Sequence, residues 1–299
     1  MYEKRTNPGT AASGELIELS SGDAAVAIDL ARGGRLASLR VANRELLVGP
    51  PGEADSSIRW GCFLMAPWAG RLVGGRVPLG GTIVQLPRTH GRHAIHGLLW
   101  NRPWRLTARH AAEGRVVATL VCDLPREVWP PGGRVEHRLS LTPGSLTLAA
   151  DLTAGGRMPA ALGWHPWFLR RGDVRLRLDA AATLETRDMI PTGHIEPVAG
   201  ATDLRAGPRL GRRRLDHAYV DARSPVEISW ADLALTIAFE PAPARVSVYT
   251  PSSAVCVEPQ TAWPDAPSRP AAEAERAGLR WLDSGETLRA SMRLAWRLG

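Results

Sequence analysis

The chain has 299 residues, 44% of them hydrophobic, with 30 glycines, 24 prolines and a formal charge of +7. That composition excludes a disordered protein, and no apolar run reaches the roughly 18 residues of a membrane span. Every basic residue but Lys4 is an arginine, and these are scattered, with no run longer than Arg212-Arg213-Arg214, a pattern that argues against a nucleic-acid partner.

Residues 1–14 are polar, lack the apolar core of a signal peptide and read as a flexible leader. From residue 15 the periodicity is that of strands. The run Ala25 to Leu30 ends at Gly33-Gly34, Arg35 to Val41 alternates, and Ala42-Asn43-Arg44 suits a turn. Trp104 to Ala108 and Arg115 to Cys122 flank the hairpin signal Glu113-Gly114; Arg134 to Leu141 and Ser145 to Leu152 flank Pro143-Gly144. In the Arg134 strand, Val135, His137, Leu139 and Leu141 share one face. Further strands are expected at Val174 to Leu178, Val226 to Trp230, Leu233 to Phe239, Arg245 to Tyr249 and Thr287 to Leu298. Only Ala271 to Ala277 reads as helical. Many short strands separated by turns predict an all-β protein, a sandwich or barrel with few short helices, and no composition break divides residues 15–299 into more than one domain.

Chemistry narrows to a few places. Cys62, Cys122 and Cys256 are isolated, without a Cys-x-x-Cys pair, which suits a reducing, cytoplasmic setting. His90, His93 and His96 invite a metal, but on a strand the middle one points away from the other two, and no acidic or cysteine partner lies nearby. No metal is therefore expected, and His90 and His93 read as exposed loop side chains. His165 lies among aromatics in Gly-Trp-His-Pro-Trp-Phe, which fits either a satisfied core histidine or the wall of a sugar-binding cleft. Glu258, in Val-Cys-Val-Glu-Pro-Gln-Thr, is a carboxylate in an apolar strand, either paired or poised as a base. Pro259 is expected to end that strand, leaving Glu258 at a sheet edge. Arg71 and Asp216 are polar residues that surface or turn positions would equally explain. No Gly-x-Ser-x-Gly elbow, P-loop or dinucleotide fingerprint occurs, so no nucleophile of that type and no cofactor are expected.

Taken in order, Pro-Trp-Ala-Gly-Arg ending at Arg71, Ile-His-Gly with His96, Gly-Trp-His-Pro-Trp-Phe with His165, Leu-Asp-His-Ala-Tyr with Asp216, and Cys-Val-Glu-Pro-Gln-Thr with Glu258 resemble the aldose 1-epimerase (galactose mutarotase) family. The closing Leu282 to Leu288 resembles the family's last turn and strand, so the likeness spans about residues 20 to 299. The resemblance implies a large antiparallel β-sandwich of the mutarotase type with its site on a concave face. It implies a free aldose as substrate, interconverted between α and β anomers, a reaction that needs no cofactor; no membrane partner is expected, and a monomer or homodimer is the expected working form. Glu258 would be general base, His165 general acid and His96 a donor near the ring oxygen, while Arg71, Asp216 and Trp164 would hold the sugar. The reference pKa values of a carboxylate and an imidazole, about 4.3 and 6.5, then imply a bell-shaped pH dependence. Competing readings are a non-catalytic sugar-binding module keeping Trp68, Trp164 and Trp167, a mutarotase of hexose phosphates, and a glycoside hydrolase built on Asp216 and Glu258. Arg92 is a candidate phosphate contact that the sequence does not locate.

Overall fold

The computed structural model describes residues 16–51, 58–242 and 244–299, so the expected leader at 1–14 lies outside the described residues. Eighteen strands form one continuous sheet folded into two layers, and every ladder between its strands is antiparallel. The first layer runs in space through Leu16–Ser21, Ala24–Asp29, Arg35–Val41, Cys62–Met65, Gly163–Leu169, Ala254–Gln260, Ala244–Tyr249 and the first half of Asp216–Ser229, and ends on the hairpin Ala182–Arg187 and Ile190–Pro197. The second runs through Arg105–Ala112, Arg115–Asp123, Gly133–Thr142, Ser145–Ala154, Thr287–Leu298 and Leu233–Glu240, then the second half of Asp216–Ser229 and Arg175–Asp179. The Asp216–Ser229 strand thus belongs to both layers and turns the corner between them. The one α-helix among the described residues, Ala271–Arg276, is a single short element outside the sheets. No helix among them is long and apolar enough to cross a membrane.

The turns follow their residues. Ala42 and Asn43, at φ 45° and 64°, connect Arg35–Val41 to the short Arg44–Glu45 strand, and Gly114 and Gly144 close the hairpins expected of them. The Gly133–Thr142 strand buries Val135, His137, Leu139 and Leu141 and turns the alternate residues outward. Val135, Leu139 and Leu141 share one core with Leu19, Val26, Leu64, Trp164, Phe168, Val255 and Val257 of the other layer. This is the sandwich rule of inward-facing residues from both sheets filling the space between.

In the middle of the first layer both faces are covered. All seven residues of Ala254–Gln260 are buried. Val255 and Val257 enter the core between the layers, while Cys256 packs with Phe63, Met65, Trp100 and Trp167 on the far side. That far, outer face carries the site.

Candidate functional site

Three neighbouring strands build the floor. Gly163–Leu169 lies between Cys62–Met65 and Ala254–Gln260, with Gly163 opposite Gln260 and Trp167 opposite Cys256. Counting two residues inward from either pair brings His165 opposite Glu258. Their side chains meet, with His165 Nε2 at 3.3 Å from Glu258 Oε1, and each residue is only 4% exposed. Glu258 therefore sits inside the layer, not at the expected edge. Pro259 does not end the strand; it pairs with Val246 and the strand runs on to Gln260. Pro166 and Pro259 lack N–H groups, so this stretch of ladder has fewer hydrogen bonds to make.

The His165 ring is held on three sides. It stacks on Trp167 at 5.0 Å and 4°, packs on Phe63 at 5.1 Å, and meets the His96 ring edge-on at 4.9 Å. Burial holds the imidazole well below its ordinary pKa, to about 3, with the Arg35 cation adding to the effect. Arg35 is itself buried behind Phe63, 4.9 Å above that ring, and donates to the carbonyls of Arg32, Trp60 and Trp100. Burial pushes the Glu258 carboxyl well above the usual carboxylate range; the Asp216 charge reinforces this, and the Gln260 hydrogen bond and Arg71 oppose it. Gln260 Nε2 donates to Glu258 Oε2 at 3.3 Å and to Ser247 Oγ at 3.1 Å. Buried and facing one another, the imidazole and the carboxyl are each driven toward the neutral form, so together they hold one proton.

His96 and Arg71 arrive on the walls by close backbone packing. His96 has φ 58°, and its N–H donates to Gly70 O at 3.0 Å while Gly70 N–H donates to His96 Nδ1 at 3.3 Å. An imidazole accepting at Nδ1 carries its proton on Nε2 when neutral, and burial, followed by His165 and Arg71, keeps His96 well below the ordinary histidine range. Two glycines make this possible. A Cβ on Gly97 would stand 2.0 Å from Ala66 O, and one on Gly70 would stand 2.6 Å from Pro264 Cγ. Asp265 locks the same corner, its N–H donating to Arg71 O at 2.8 Å and its Oδ1 accepting from Val73 N–H at 2.8 Å. The glycines of Trp-Ala-Gly-Arg and Ile-His-Gly and the Trp-Pro-Asp turn are thus one packing unit that positions Arg71 and His96.

Arg71, His96, His165, Asp216 and Glu258 all line one cavity of about 200 Å³. Asp216 opens a strand opposite Tyr249, which also lines it. The sixth expected residue does not. Trp164 belongs to the core between the layers, where its Nε1–H donates to His137 Nε2 at 3.2 Å. The period-two alternation of a strand forces this, because a residue next to His165 points to the opposite face. Trp68 is likewise in that core, and of the three tryptophans considered for a sugar wall only Trp167 reaches the cavity. His93 is buried, contrary to expectation, with Nδ1 accepting from Gly74 N–H. His90 is exposed as expected, yet it lines the cavity. Among the described residues no group of three or more His, Cys, Asp and Glu side chains is arranged to hold a metal ion.

The sequence matches the family model of aldose 1-epimerase over residues 15–295. An uncharacterized Escherichia coli K12 protein, YphB, is 26% identical over 253 residues, covering 79% of this chain and 84% of that one. A galactose mutarotase-like protein from Clostridium acetobutylicum shares the fold with a TM-score of 0.83 at 16% identity, over 95% of both chains. The galactose 1-epimerase of Lactobacillus acidophilus NCFM does so with a TM-score of 0.79 at 17% identity, over 100% of this chain and 97% of that one. With a match over nearly its whole length and this fold around it, the chain belongs to the aldose 1-epimerase family.

Proposed function

We propose that this protein is an aldose 1-epimerase that interconverts the α and β anomers of an aldose. The observation that carries the reading is the buried His165–Glu258 contact of 3.3 Å on the floor of the cavity. Ring opening takes a proton from O1 and gives one to O5, two oxygens bonded to the same carbon. An acid and a base serving both must converge within a few ångströms, as these do.

The proton count fits as well. In the competent form Glu258 is a carboxylate and His165 an imidazolium. Glu258 takes the O1 proton, the C1–O1 bond becomes a carbonyl, the C1–O5 bond breaks, and O5 receives the proton from His165 Nε2. The pair is then neutral, the distribution that burial favours. Burial thus lowers the cost of the opened state. Rotation about C1–C2 and the reverse transfers close the ring on the other face. His96, neutral with its proton on Nε2, donates to the ring oxygen or a neighbouring hydroxyl. Arg71 and Asp216 hold sugar hydroxyls at the mouth, and the Trp167 ring lies under His165 and fixes its plane. Positioned acid and base groups each contribute roughly 10²–10⁴-fold.

Polarimetry of freshly dissolved α-D-galactose and α-D-glucose tests this. The wild type should speed relaxation to the same final rotation, and Glu258→Gln and His165→Asn should each abolish the acceleration. Acceleration retained in both variants would overturn the assignment of the pair, and none with any aldose would overturn the activity.

A further inference from the structure

We propose that Gln260 is a positioning residue of the epimerase, whose side-chain amide fixes which oxygen of Glu258 faces His165. The role rests on the epimerase reading of the cavity and extends it to a group that exchanges no proton itself.

Strand pairing sets this up. Along Ala254–Gln260, Glu258 and Gln260 lie two residues apart and share the outer face. Ser247 stands opposite Glu258 on one neighbouring strand, and Gly163 stands opposite Gln260 on the other. The amide nitrogen of Gln260 reaches two partners, donating to Glu258 Oε2 at 3.3 Å and to Ser247 Oγ at 3.1 Å. Both of its hydrogens are used, and Glu258 Oε1 is left for His165 Nε2 at 3.3 Å. The stem is held as well. A Cβ on Gly163 would stand 3.1 Å from Gln260 Cγ and 2.9 Å from Met65 Cε, so the glycine that leads into His165 also makes room for Gln260.

Packing alone does not account for an amide here. Gln260 is 3% exposed, and its Oε1 is buried with no hydrogen-bond partner among the described residues. An apolar side chain of equal length would fill the place without an unpaired oxygen. What the amide adds is a donor fixed on the carboxyl. Turned over, it would set its oxygen against a carboxylate oxygen, acceptor against acceptor, so the observed orientation serves the ionised form of Glu258. The ionisable groups around that carboxyl are His165 on the next strand, Cys256 on its own strand, Tyr249 opposite Cys256, Asp216 beside Tyr249, and Arg71 and His96 on the wall. Asp216 works against the carboxylate and Arg71 for it; Gln260 works for it through direct contact with Oε2. A carboxyl held by one oxygen no longer turns freely about its last torsion, so Oε1 stays where His165 and an anomeric hydroxyl can both meet it.

The test is polarimetry with galactose and glucose across pH on the wild type, Gln260→Met and Gln260→Glu, with rates taken per folded molecule. Gln260→Met keeps the stem and removes the donor. It should lower kcat roughly 10- to 100-fold with KM within about threefold. It should also move the alkaline limb of kcat/KM up by about half a unit to one unit, because a carboxyl without the donor ionises less readily. Gln260→Glu sets a second carboxyl against Oε2 and should move the limb further. Ser247→Ala removes only the amide's second anchor and should give the same changes at smaller size. A side chain that merely filled space would alter the amount of folded protein and leave the limb in place. A kcat within about twofold of the wild type in Gln260→Met, or a limb unmoved in both Gln260 variants, would overturn the role and leave the epimerase standing. If no aldose is turned over, the epimerase reading fails, and NMR titration of the Glu258 carboxyl carbon decides the contact. A higher carboxyl pKa in Gln260→Met supports it, whereas an unchanged one overturns it.

Discussion

His137 and His165 are both fully buried, and burial holds both imidazoles at a pKa of about 3. They lie on opposite sides of the Gly163–Leu169 strand. His137 reaches it from the other layer, accepts from Trp164 Nε1 at 3.2 Å, and sits in the apolar core with Trp104 edge-on at 6.0 Å. His165, one residue along from Trp164, faces Glu258 and a cavity, and its Nδ1 has no partner among the described residues. A depressed pKa is therefore no mark of function here. What differs is the partner: His137 is satisfied by an indole that cannot exchange a proton at working pH, His165 by a carboxyl that shares one.

The sharpest way to break this contrast is to make the same substitution on each side. His165→Asn should cost roughly 10²–10⁴-fold in mutarotation with little change in melting. His137→Asn should leave the rate per folded molecule within about twofold but lower the unfolding free energy by about 1–3 kcal/mol, because the Trp164 N–H is left in the core without its acceptor. Trp167→Phe should follow the first pattern more weakly, by disturbing the His165 stack, and Trp164→Phe the second. Polarimetry and urea unfolding on the same samples check all four. A catalytic loss in His137→Asn that exceeds its loss of folded protein would abolish the distinction.

A smaller effect is expected in the pH profile of kcat/KM. Ordinary values would confine activity to between about 4.3 and 6.5. Burial moves both limits outward. The second proton joins the pair only near pH 3, where His165 titrates, and the shared proton leaves only well above the usual carboxylate range, where Glu258 titrates. The profile should be a broad plateau, without the narrow bell that reference values imply. Arg71→Gln removes a cation that favours the carboxylate and should move the alkaline limb up, and Asp216→Asn removes an anion and should move it down. The limb's position, not its height, is the readout, since both residues line the cavity. An acid limb beginning near 6.5 would mean that His165 is not held neutral.

The same contrast explains what could be read from the chain. Strands with one clean apolar face, such as Arg134 to Leu141, were legible because alternation directly encodes their burial. Gly163–Leu169 was not, and Ala254–Gln260 was read only as an apolar strand ending at Pro259, because both of their faces are covered and their apolar runs lack a period. Motif order brought Arg71, His96, His165, Asp216 and Glu258 to one cavity. It misassigned Trp164, although the signal was present: adjacent residues on an extended strand cannot share a face. Tyr249, Ser247 and Arg59 were out of reach, since nothing local marks them and only the pairing of distant strands carries Tyr249 beside Asp216. The glycines at 70 and 97 could be seen as motif letters, but their reason, contact with Pro264 and Ala66, exists only in the folded chain.

The smallest effect lies in stability against pH, where the two kinds of buried group pull in opposite directions. His96, His137 and His165 all have folded pKa values below their unfolded value of 6.5. As pH falls below 6.5 the unfolded chain binds protons that the folded chain refuses, so stability is lost on acidification. Each such histidine contributes a slope of up to about 1.4 kcal/mol per pH unit. Glu258 has the reverse sign. Its folded pKa is raised, so the folded chain holds a proton that the unfolded chain has released above 4.5, and its contribution is lost as pH rises through the folded value. Between 4.5 and 6.5 it offsets one of the three histidines. Urea unfolding across that window should therefore be shallower in pH for His137→Gln, which removes one refused proton, and steeper for Glu258→Gln, which removes the offset, each by up to about 1.4 kcal/mol per unit. Parallel slopes in the wild type and Glu258→Gln would mean that the folded pair holds no proton in this window, with Glu258 ionised and His165 neutral.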